Sequence, residues 1–283
     1  MNSWSEPHKD SLFATVDGLK LHYKRAGKGP VVLLLHGSGS SLQGVEQVAT
    51  RLSRSFTTIC LDLPGAGLTG PRKDRDYRIE AYVSVISRFM QALHLPRYTV
   101  VGNSLGGNIA WNLALDEPER LDAVVLINAT GYPGKTIPAG LRLARNPLAR
   151  PLLRRWLPRS ATKKNLKAAV GSTSTIVDSA MVDRVHNLMS LPGNRSAFVD
   201  LANTDQKDRS DQISHIKVPT LVLRSASIDG QNFSSDIKNS IERTHPDAGH
   251  LLPEEDPVWV ADAIEEYLRS LAANKTLTLG GTA

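Results

Sequence analysis

A serine stands between two glycines in the segment Gly102-Asn103-Ser104-Leu105-Gly106, directly after a short apolar run and before a helical pattern. A sharp strand-to-helix turn of this kind lifts the central side chain above the sheet, and glycines two positions away on either side leave room for neighbouring backbone. The N-terminus of the new helix directs N–H groups and partial positive charge toward any anion formed there. These features predict that Ser104 is a nucleophile.

A second glycine-rich turn, residues 36–39, follows the first long apolar run. A turn without bulky side chains lets a backbone N–H group approach a reacting carbonyl oxygen. The N–H groups of Ser38 and Leu105 are therefore predicted to form a two-donor oxyanion hole. Gly37 and Asn103 flank these donors and are predicted to contact the substrate.

The general base for such a serine is expected late in the chain. His250 fits by its order and context, because it lies on a glycine-containing turn just before the last helical pattern. His36 lies on the oxyanion side of the nucleophile, so it is predicted to order its own turn by hydrogen bonding. The segment Asp62-Leu63-Pro64-Gly65-Ala66-Gly67 is predicted to be a structural loop.

The elements that position these residues alternate between short apolar runs and helical patterns. Gly, Pro, Asn or Asp bound each run, as is typical of buried parallel strands. Helical spacing covers residues 79–93, 105–115 and 258–271, and residues 241–245 are predicted to form the last, edge strand. This alternation predicts an α/β fold with a mostly parallel sheet. The apolar runs are Val31–Leu35, Thr57–Leu61, Tyr98–Val101, Ala123–Ile127 and Thr220–Leu223.

The alternation stops between residues 134 and 205, where the pattern is helical and interrupted by prolines, among them Pro138, Pro147, Pro151 and Pro158. This stretch is predicted to form a helical cap over the carboxyl ends of the strands, where open α/β sheets bind ligands. The predicted core therefore comprises residues 1–133 and 206–273, the cap residues 134–205, and a C-terminal tail residues 274–283.

The 283-residue chain has a net charge of +6, and the positive charge is concentrated in the predicted cap. Residues 135–170 contain ten Lys or Arg and no Asp or Glu. Three interpretations stay open: a solvated helical surface, weak contact with a membrane surface, and attraction of anionic substrates. Nucleic-acid binding is disfavoured, because no recognition motif accompanies the charge.

The chain resembles the α/β-hydrolase superfamily over nearly its whole length, and within it the capped esterases and the carbon–carbon bond hydrolases. The resemblance implies an eight-stranded sheet with the cap inserted after the sixth strand, a Ser–His–acid triad, and neither cofactor nor metal. A serine in place of an aspartate nucleophile disfavours the haloalkane dehalogenase and epoxide hydrolase branches. The matching residues are His36-Gly37-x-Gly39, Asp62-x-Pro64-Gly65-x-Gly67, Gly102–Gly107 and Gly249-His250.

The acid of the triad departs from the family pattern, which has Trp-Gly-x-x-Asp after the strand that corresponds to residues 218–223. Here Ile228 occupies the place of the acid, and Asp229 follows one residue later. Asp229 keeps the chain order Ser, Asp, His and is the predicted acid, with Asp236 as the second choice. Asn128 lies where some hydrolases place the acid, but an amide cannot stabilise an imidazolium as a carboxylate does.

The predicted function is hydrolysis of a small-molecule carboxylic ester through an acyl-enzyme on Ser104. One alternative is a carbon–carbon bond hydrolase whose substrate carboxylate binds an arginine of the cap, and another is a non-catalytic hydrolase fold with a degenerate acid site. The N-terminus lacks the basic-then-apolar order of a signal peptide, and Cys60 is the single cysteine. A cytoplasmic location is therefore expected.

Overall fold

The computed structural model describes residues 4–133, 139–228 and 232–280. These residues form one eight-stranded sheet in the order β1-β2-β4-β3-β5-β6-β7-β8. β1 and β2 pair antiparallel, as do β2 and β4, and all other neighbours pair parallel. The α/β prediction is therefore confirmed. The strands are β1 Leu12–Val16, β2 Leu19–Ala26, β3 Val31–Leu35, β4 Thr57–Leu61, β5 Tyr98–Asn103, β6 Leu121–Ile127, β7 Thr220–Ser225 and β8 Ser240–His245.

Helices follow most strands, as parallel pairing requires. They are α1 Gln43–Leu52, α2 Ile79–Ala92, α3 Leu105–Asp116, α4 Ala139–Arg145, α5 Arg150–Arg155, α6 Arg159–Ala169, α7 Ser179–Met189, α8 Asn194–Asn203, α9 Phe233–Asp236, α10 Leu252–Glu255 and α11 Pro257–Gly280, with 3-10 helices at Pro118–Arg120 and Ser210–His215. The last helix continues to Gly280, beyond residue 273 where the sequence pattern places the end of the core.

Both faces of the sheet are buried, so its central strands are apolar on both sides. In β3, Leu33 and Leu35 pack with α2 and α3, whereas Val32 and Leu34 pack on the opposite face with α1 and α11. The chain thus forms three layers, and the carboxyl ends of β3, β5, β6 and β7 lie along one edge of the sheet. Among the described residues, no helix has the length and apolarity to cross a membrane.

Asp62 anchors the predicted structural loop after β4, and residues 63–67 of this loop also line the cleft that Ser38 and Leu105 line. Its carboxylate accepts hydrogen bonds from the N–H groups of Leu42 and Leu68 at 2.7 and 2.8 Å. It also lies 2.7 Å from Nδ1 of His22. The side chain therefore joins the loop to β2 and to the start of α1.

The helices α4 to α8 fall between β6 and β7, which is where the sequence pattern places the cap. They have two small apolar clusters of their own. Ala144 of α4 packs with Val199 and Ala202 of α8. Leu166 and Val182 join α6 to α7, and Leu251 of the core packs against this second cluster. The cap is therefore in direct contact with the residue that follows His250.

Candidate active site

Ser104 occupies a strained turn between β5 and α3. Its backbone has φ 54° and ψ −111°, a conformation that residues other than glycine rarely adopt. A Cβ at Gly102 would lie 2.1 Å from the carbonyl oxygen of Gly106, and a Cβ at Gly106 would lie 2.4 Å from that of Leu35. The spacing of the two glycines is therefore a steric requirement of the turn, which agrees with the sequence argument.

The predicted oxyanion donors lie beside this serine. Ser38 and Leu105 both line the same cleft, and their N–H groups donate to no other group in the described part of the chain. Gly37 lies against the nucleophile, since a Cβ at Gly37 would be 3.2 Å from Cβ of Ser104. Two unpaired donors next to a serine are an arrangement that can stabilise a developing oxyanion.

His36 orders the glycine-rich turn of residues 36–39, as predicted. We call this turn the oxyanion turn. Its Nδ1–H donates to the carbonyl of Gly37 at 2.8 Å, and its Nε2 accepts from the N–H of Leu63 at 3.0 Å. These two bonds require a neutral ring. Burial supplies it, because desolvation lowers the pKa of His36 from the ordinary value of 6.5.

Polar side chains at the ends of β6 and β7 form hydrogen bonds with the turn that carries His250. The carbonyl of Gly249 accepts from Ser225 Oγ at 2.7 Å and from Asn128 Nδ2 at 3.1 Å. Asn128 Oδ1 in turn accepts from the N–H of Ser225 at 2.9 Å. Asn128 thus fills the alternative position for an acid, and its amide holds the backbone of the turn.

The cap also forms hydrogen bonds with this turn. The N–H of His250 donates to the carbonyl of Ala169, at the end of α6, at 2.7 Å. The carboxylate of Glu255 accepts from the N–H groups of Gly249 and Gly171, each at 2.8 Å. One carboxylate therefore joins the histidine turn to the cap. The acidic residues before Pro257 were the available sequence signal for Glu255, but they indicated only the start of a helix.

Burial lowers the pKa of His250 from its ordinary value of 6.5, so the ring is neutral at pH 7 and able to accept a proton. Among the described residues, no hydrogen bond joins its ring to Ser104 or to a carboxylate. Asp229, the predicted acid, lies outside the described residues. Asp236, the second choice, accepts instead from the hydroxyl of Tyr132 at 2.8 Å.

Asn103 and Gly37, the predicted substrate contacts, differ in their surroundings. Gly37 lines the cleft. Asn103 is buried, and its Nδ2 donates to the carbonyls of Ile127 at 3.2 Å and His250 at 3.3 Å. Its side chain therefore links the nucleophile strand to the histidine turn. The contact of either residue with a substrate stays a prediction.

A narrow cleft with an empty volume of about 510 Å³, its open mouth included, runs from the oxyanion turn toward the cap. None of its described lining residues is Asp, Glu, Lys or Arg. The cap contributes an apolar wall, which the sequence could not predict because the prolines interrupt the helical periodicity. The wall residues are Val185, Leu188, Met189, Ala197, Phe198 and Leu201.

The chain is similar to curated hydrolases of bacteria. It is 26% identical over 265 residues to the uncharacterized hydrolase YugF of Bacillus subtilis, covering 90% of this chain and 96% of that protein. It is 30% identical over 223 residues to a 2-hydroxy-6-oxononadienedioate/2-hydroxy-6-oxononatrienedioate hydrolase of Paraburkholderia phymatum, covering 72% of this chain and 73% of that one.

Solved structures share the fold. A thermophilic esterase from Thermogutta terrifontis superposes with a TM-score of 0.77 at 24% identity, covering 92% of this chain and 98% of the esterase. The sequence family described as alpha/beta hydrolase fold matches residues 30–257, which include the nucleophile turn, the oxyanion turn and His250. The chain therefore belongs to the α/β-hydrolase fold family.

Proposed function

We propose that the protein hydrolyses carboxylic esters of small, uncharged molecules through an acyl-enzyme on Ser104. The observation that carries the proposal is the strained turn of Ser104 next to the unpaired N–H groups of Ser38 and Leu105, two residues that line a cleft with no charged side chain among its described lining residues. Strain at a single residue is retained where the surrounding packing enforces it, and such residues cluster at reactive sites.

In the proposed mechanism, neutral His250 takes the proton of Ser104 as its oxygen attacks the ester carbonyl. The N–H groups of Ser38 and Leu105 bind the resulting oxyanion. Collapse releases the alcohol, which receives the proton from His250. A water molecule then attacks the acyl-enzyme with His250 again as base, and the carboxylic acid leaves. Asp229 is proposed to orient the imidazole and to stabilise its protonated form.

The lining of the cleft supports an uncharged acyl group. Apolar side chains of the cap line the cleft together with Leu63, Tyr82 and a series of glycines and serines of the core, and none of the described lining residues is Asp, Glu, Lys or Arg. A carboxylate bound there would lose its hydration without gaining a cationic partner, which is unfavourable. Esters of apolar acids are therefore the proposed substrates.

Carbon–carbon bond hydrolysis is the second candidate, favoured by the 30% identity to a hydrolase whose name specifies a dicarboxylate substrate. Such a substrate needs a cation in the cleft. Two cap arginines are next to lining residues in the sequence, Arg184 before Val185 and Arg195 after Asn194. The guanidinium of Arg184 is paired with the carboxylate of Glu254, and Nη2 of Arg195 donates to the carbonyl of Arg155. Neither arginine lines the cleft, which favours the ester over the dicarboxylate.

Turnover of p-nitrophenyl acetate, butyrate and octanoate by the wild type and by Ser104→Ala tests the proposal. Ester hydrolysis predicts saturable turnover that falls by at least about 10⁴-fold in the variant. A dienol dicarboxylate assayed in parallel separates the second candidate, which predicts turnover of that compound and little of the esters. A folded wild type that neither turns over any substrate nor reacts with a fluorophosphonate would indicate a non-catalytic fold.

A further inference from the structure

Four large apolar side chains lie exposed within one short stretch of the cap. Leu143, Leu148, Leu152 and Trp156 are 47%, 92%, 57% and 57% exposed. They are four of the seven large apolar side chains that are exposed among the described residues. We call these four residues, together with Arg142 and Arg155, the cap patch.

The exposed apolar side chains are not needed to hold α4 and α5 on the protein. The two helices already pack through Leu141, Ala144 and Leu153, which contact α8. Leu152 lies on α5 next to the packed Leu153, and Trp156 follows directly after the helix in extended backbone. This part of the cap therefore packs on the protein through one set of apolar side chains and exposes a second set to solvent.

The charge around these side chains has one sign. From residue 139 to residue 170 the chain has nine Lys or Arg and no Asp or Glu. Arg154 and Arg159 are neutralised by Asp200 and Asp183. Arg142 and Arg155, which directly precede Leu143 and Trp156, are exposed, and their side chains have no ion pair with any described residue. Nearby on α6, the exposed Lys163, Lys164 and Lys167 likewise have none.

We propose that the cap patch docks on the surface of an anionic lipid bilayer. Leucines and a tryptophan interleaved with arginines suit the bilayer interface, where the apolar side chains enter the acyl boundary and the guanidinium groups stay at the phosphates. Each juxtamembrane cation is attracted by the negative surface potential. Nucleic acid would account for the cations but leave the four apolar side chains in water.

Cosedimentation with lipid vesicles tests the proposal without any need for turnover, so its failure would leave the proposed ester hydrolysis standing. The wild type is expected to bind vesicles that contain phosphatidylglycerol and not vesicles of phosphatidylcholine alone. Raising the salt from about 0.1 M to about 0.5 M is expected to weaken binding, since it screens the attraction. The emission of Trp156 is expected to shift to shorter wavelength on binding, and this shift should be absent in Trp156→Phe.

Two paired variants separate the apolar and cationic contributions. Leu152→Ser with Trp156→Ser, and Arg142→Gln with Arg155→Gln, are each expected to lower the partition coefficient by about 10-fold. The matched apolar control is Ile241→Ser, which changes an exposed side chain (51%) on β8. The matched charge control is Lys28→Gln with Lys217→Gln, since both lysines are exposed and precede the amino ends of the strands β3 and β7. Both controls are expected to bind as the wild type does.

Three results would overturn the proposal. The first is a folded wild type that does not bind anionic vesicles. The second is binding that the charge control lowers as much as the patch variants do, which would indicate net charge alone. The third is binding to a DNA duplex in the absence of vesicle binding, which would assign the cations to a nucleic acid.

Discussion

The nucleophile side and the base side of the candidate site are held in place by different parts of the molecule. The turn of Ser104 is enforced by close packing between backbone atoms of β3, β5 and α3. The turn of His250 donates hydrogen bonds to the carboxylate of Glu255 and to the cap carbonyl of Ala169, and it accepts one from Asn128. Gly249 of this turn also packs closely on the cap backbone, since a Cβ there would lie 2.4 Å from the carbonyl carbon of Val170. The nucleophile side therefore depends on the core alone, whereas the base side also depends on the cap. Changes in the cap should thus reach catalysis through His250.

The prediction with the largest expected effect concerns whether a carboxylate completes the base side. We expect Asp229→Asn to lower kcat by about 10⁴-fold, because an amide leaves the imidazole in the wrong tautomer and its protonated form unstabilised. The acid limb of the pH dependence of kcat/KM should also shift to lower pH, since burial would then lower the pKa of His250 unopposed. Ester hydrolysis at a series of pH values measures both quantities.

Asp236→Asn is the control for that experiment, because its carboxylate is bound to Tyr132 rather than to His250. We expect it to leave the pH profile unchanged. Equal activity of Asp229→Asn and the wild type would show that another group orients the base, or that the reaction needs no acid.

The second prediction concerns the packing of the nucleophile side. Gly106→Ala would bring a Cβ to 2.4 Å from the carbonyl oxygen of Leu35 and 2.9 Å from that of His36. Backbone atoms cannot move aside as a flexible side chain can, so we expect a loss of about 3 kcal/mol or more in the free energy of unfolding. Urea denaturation measures the loss.

Gly140→Ala is the matched control, because this glycine lies in α4 and a Cβ there meets only side-chain atoms, the amide of Asn165 at 3.3 Å and the ring of Phe198 at 4.0 Å. Alanine also favours a helix over glycine. We expect its stability to stay within about 1 kcal/mol of the wild type. A similar loss in both variants would mean that the turn is not sterically closed.

The difference between the two sides also decides what the sequence could predict. The buried strands β3 to β7, the turn of Ser104, the hydrogen bond from His36 to Gly37 and the edge strand β8 all depend on neighbours in sequence or on apolar periodicity. Steric constraints between close residues leave a local pattern of glycines, as at Gly102 and Gly106. Such patterns can be read from one chain without its structure.

The base side could be predicted only in part, because its contacts join residues far apart in the chain. Nothing near Glu255 indicates that its carboxylate accepts from Gly171 of the cap, 84 residues away. Likewise, an asparagine at position 128 does not reveal that it holds Gly249, 121 residues away. The apolar wall that the cap contributes to the cleft could not be predicted for a related reason. Short helices separated by prolines do not show in the sequence which side faces the cleft.

The third prediction tests the link between the base side and the cap. In Glu255→Gln the side-chain oxygen can accept from only one of the two N–H groups, that of Gly249 or that of Gly171. The N–H₂ group then faces the other N–H, and that hydrogen bond is lost. A lost hydrogen bond to a charged acceptor is worth about 1.5 kcal/mol, so we expect kcat to fall by about 10-fold as the turn of His250 loosens. Steady-state kinetics on a p-nitrophenyl ester measures the change.

Glu254→Gln controls for cap attachment in general, because it weakens the ion pair with Arg184 and leaves the histidine turn untouched. We expect kcat to stay near the wild-type value in this variant. If both variants lowered kcat equally, the effect would belong to the cap as a whole and not to the position of His250.

The smallest expected effect is a pH dependence of stability that comes from His250 on the base side. Burial lowers the pKa of His250 below 6.5, so the folded protein binds fewer protons at this site than the unfolded chain. The corresponding stability is fully present above pH 6.5 and is lost as the pH falls toward the lowered pKa, by at most about 1.4 kcal/mol per pH unit.

Urea unfolding from about pH 8 to about pH 5 should therefore show the wild type losing stability relative to His250→Gln. His36 is also buried and neutral, but it contributes equally to both proteins and cancels. The pH dependence of the free energy of unfolding should be the same for Ser104→Ala as for the wild type, because this substitution removes no titrating group. If His250→Gln also showed the wild-type pH dependence, the ring of His250 would be protonated as easily in the folded protein as in the unfolded chain.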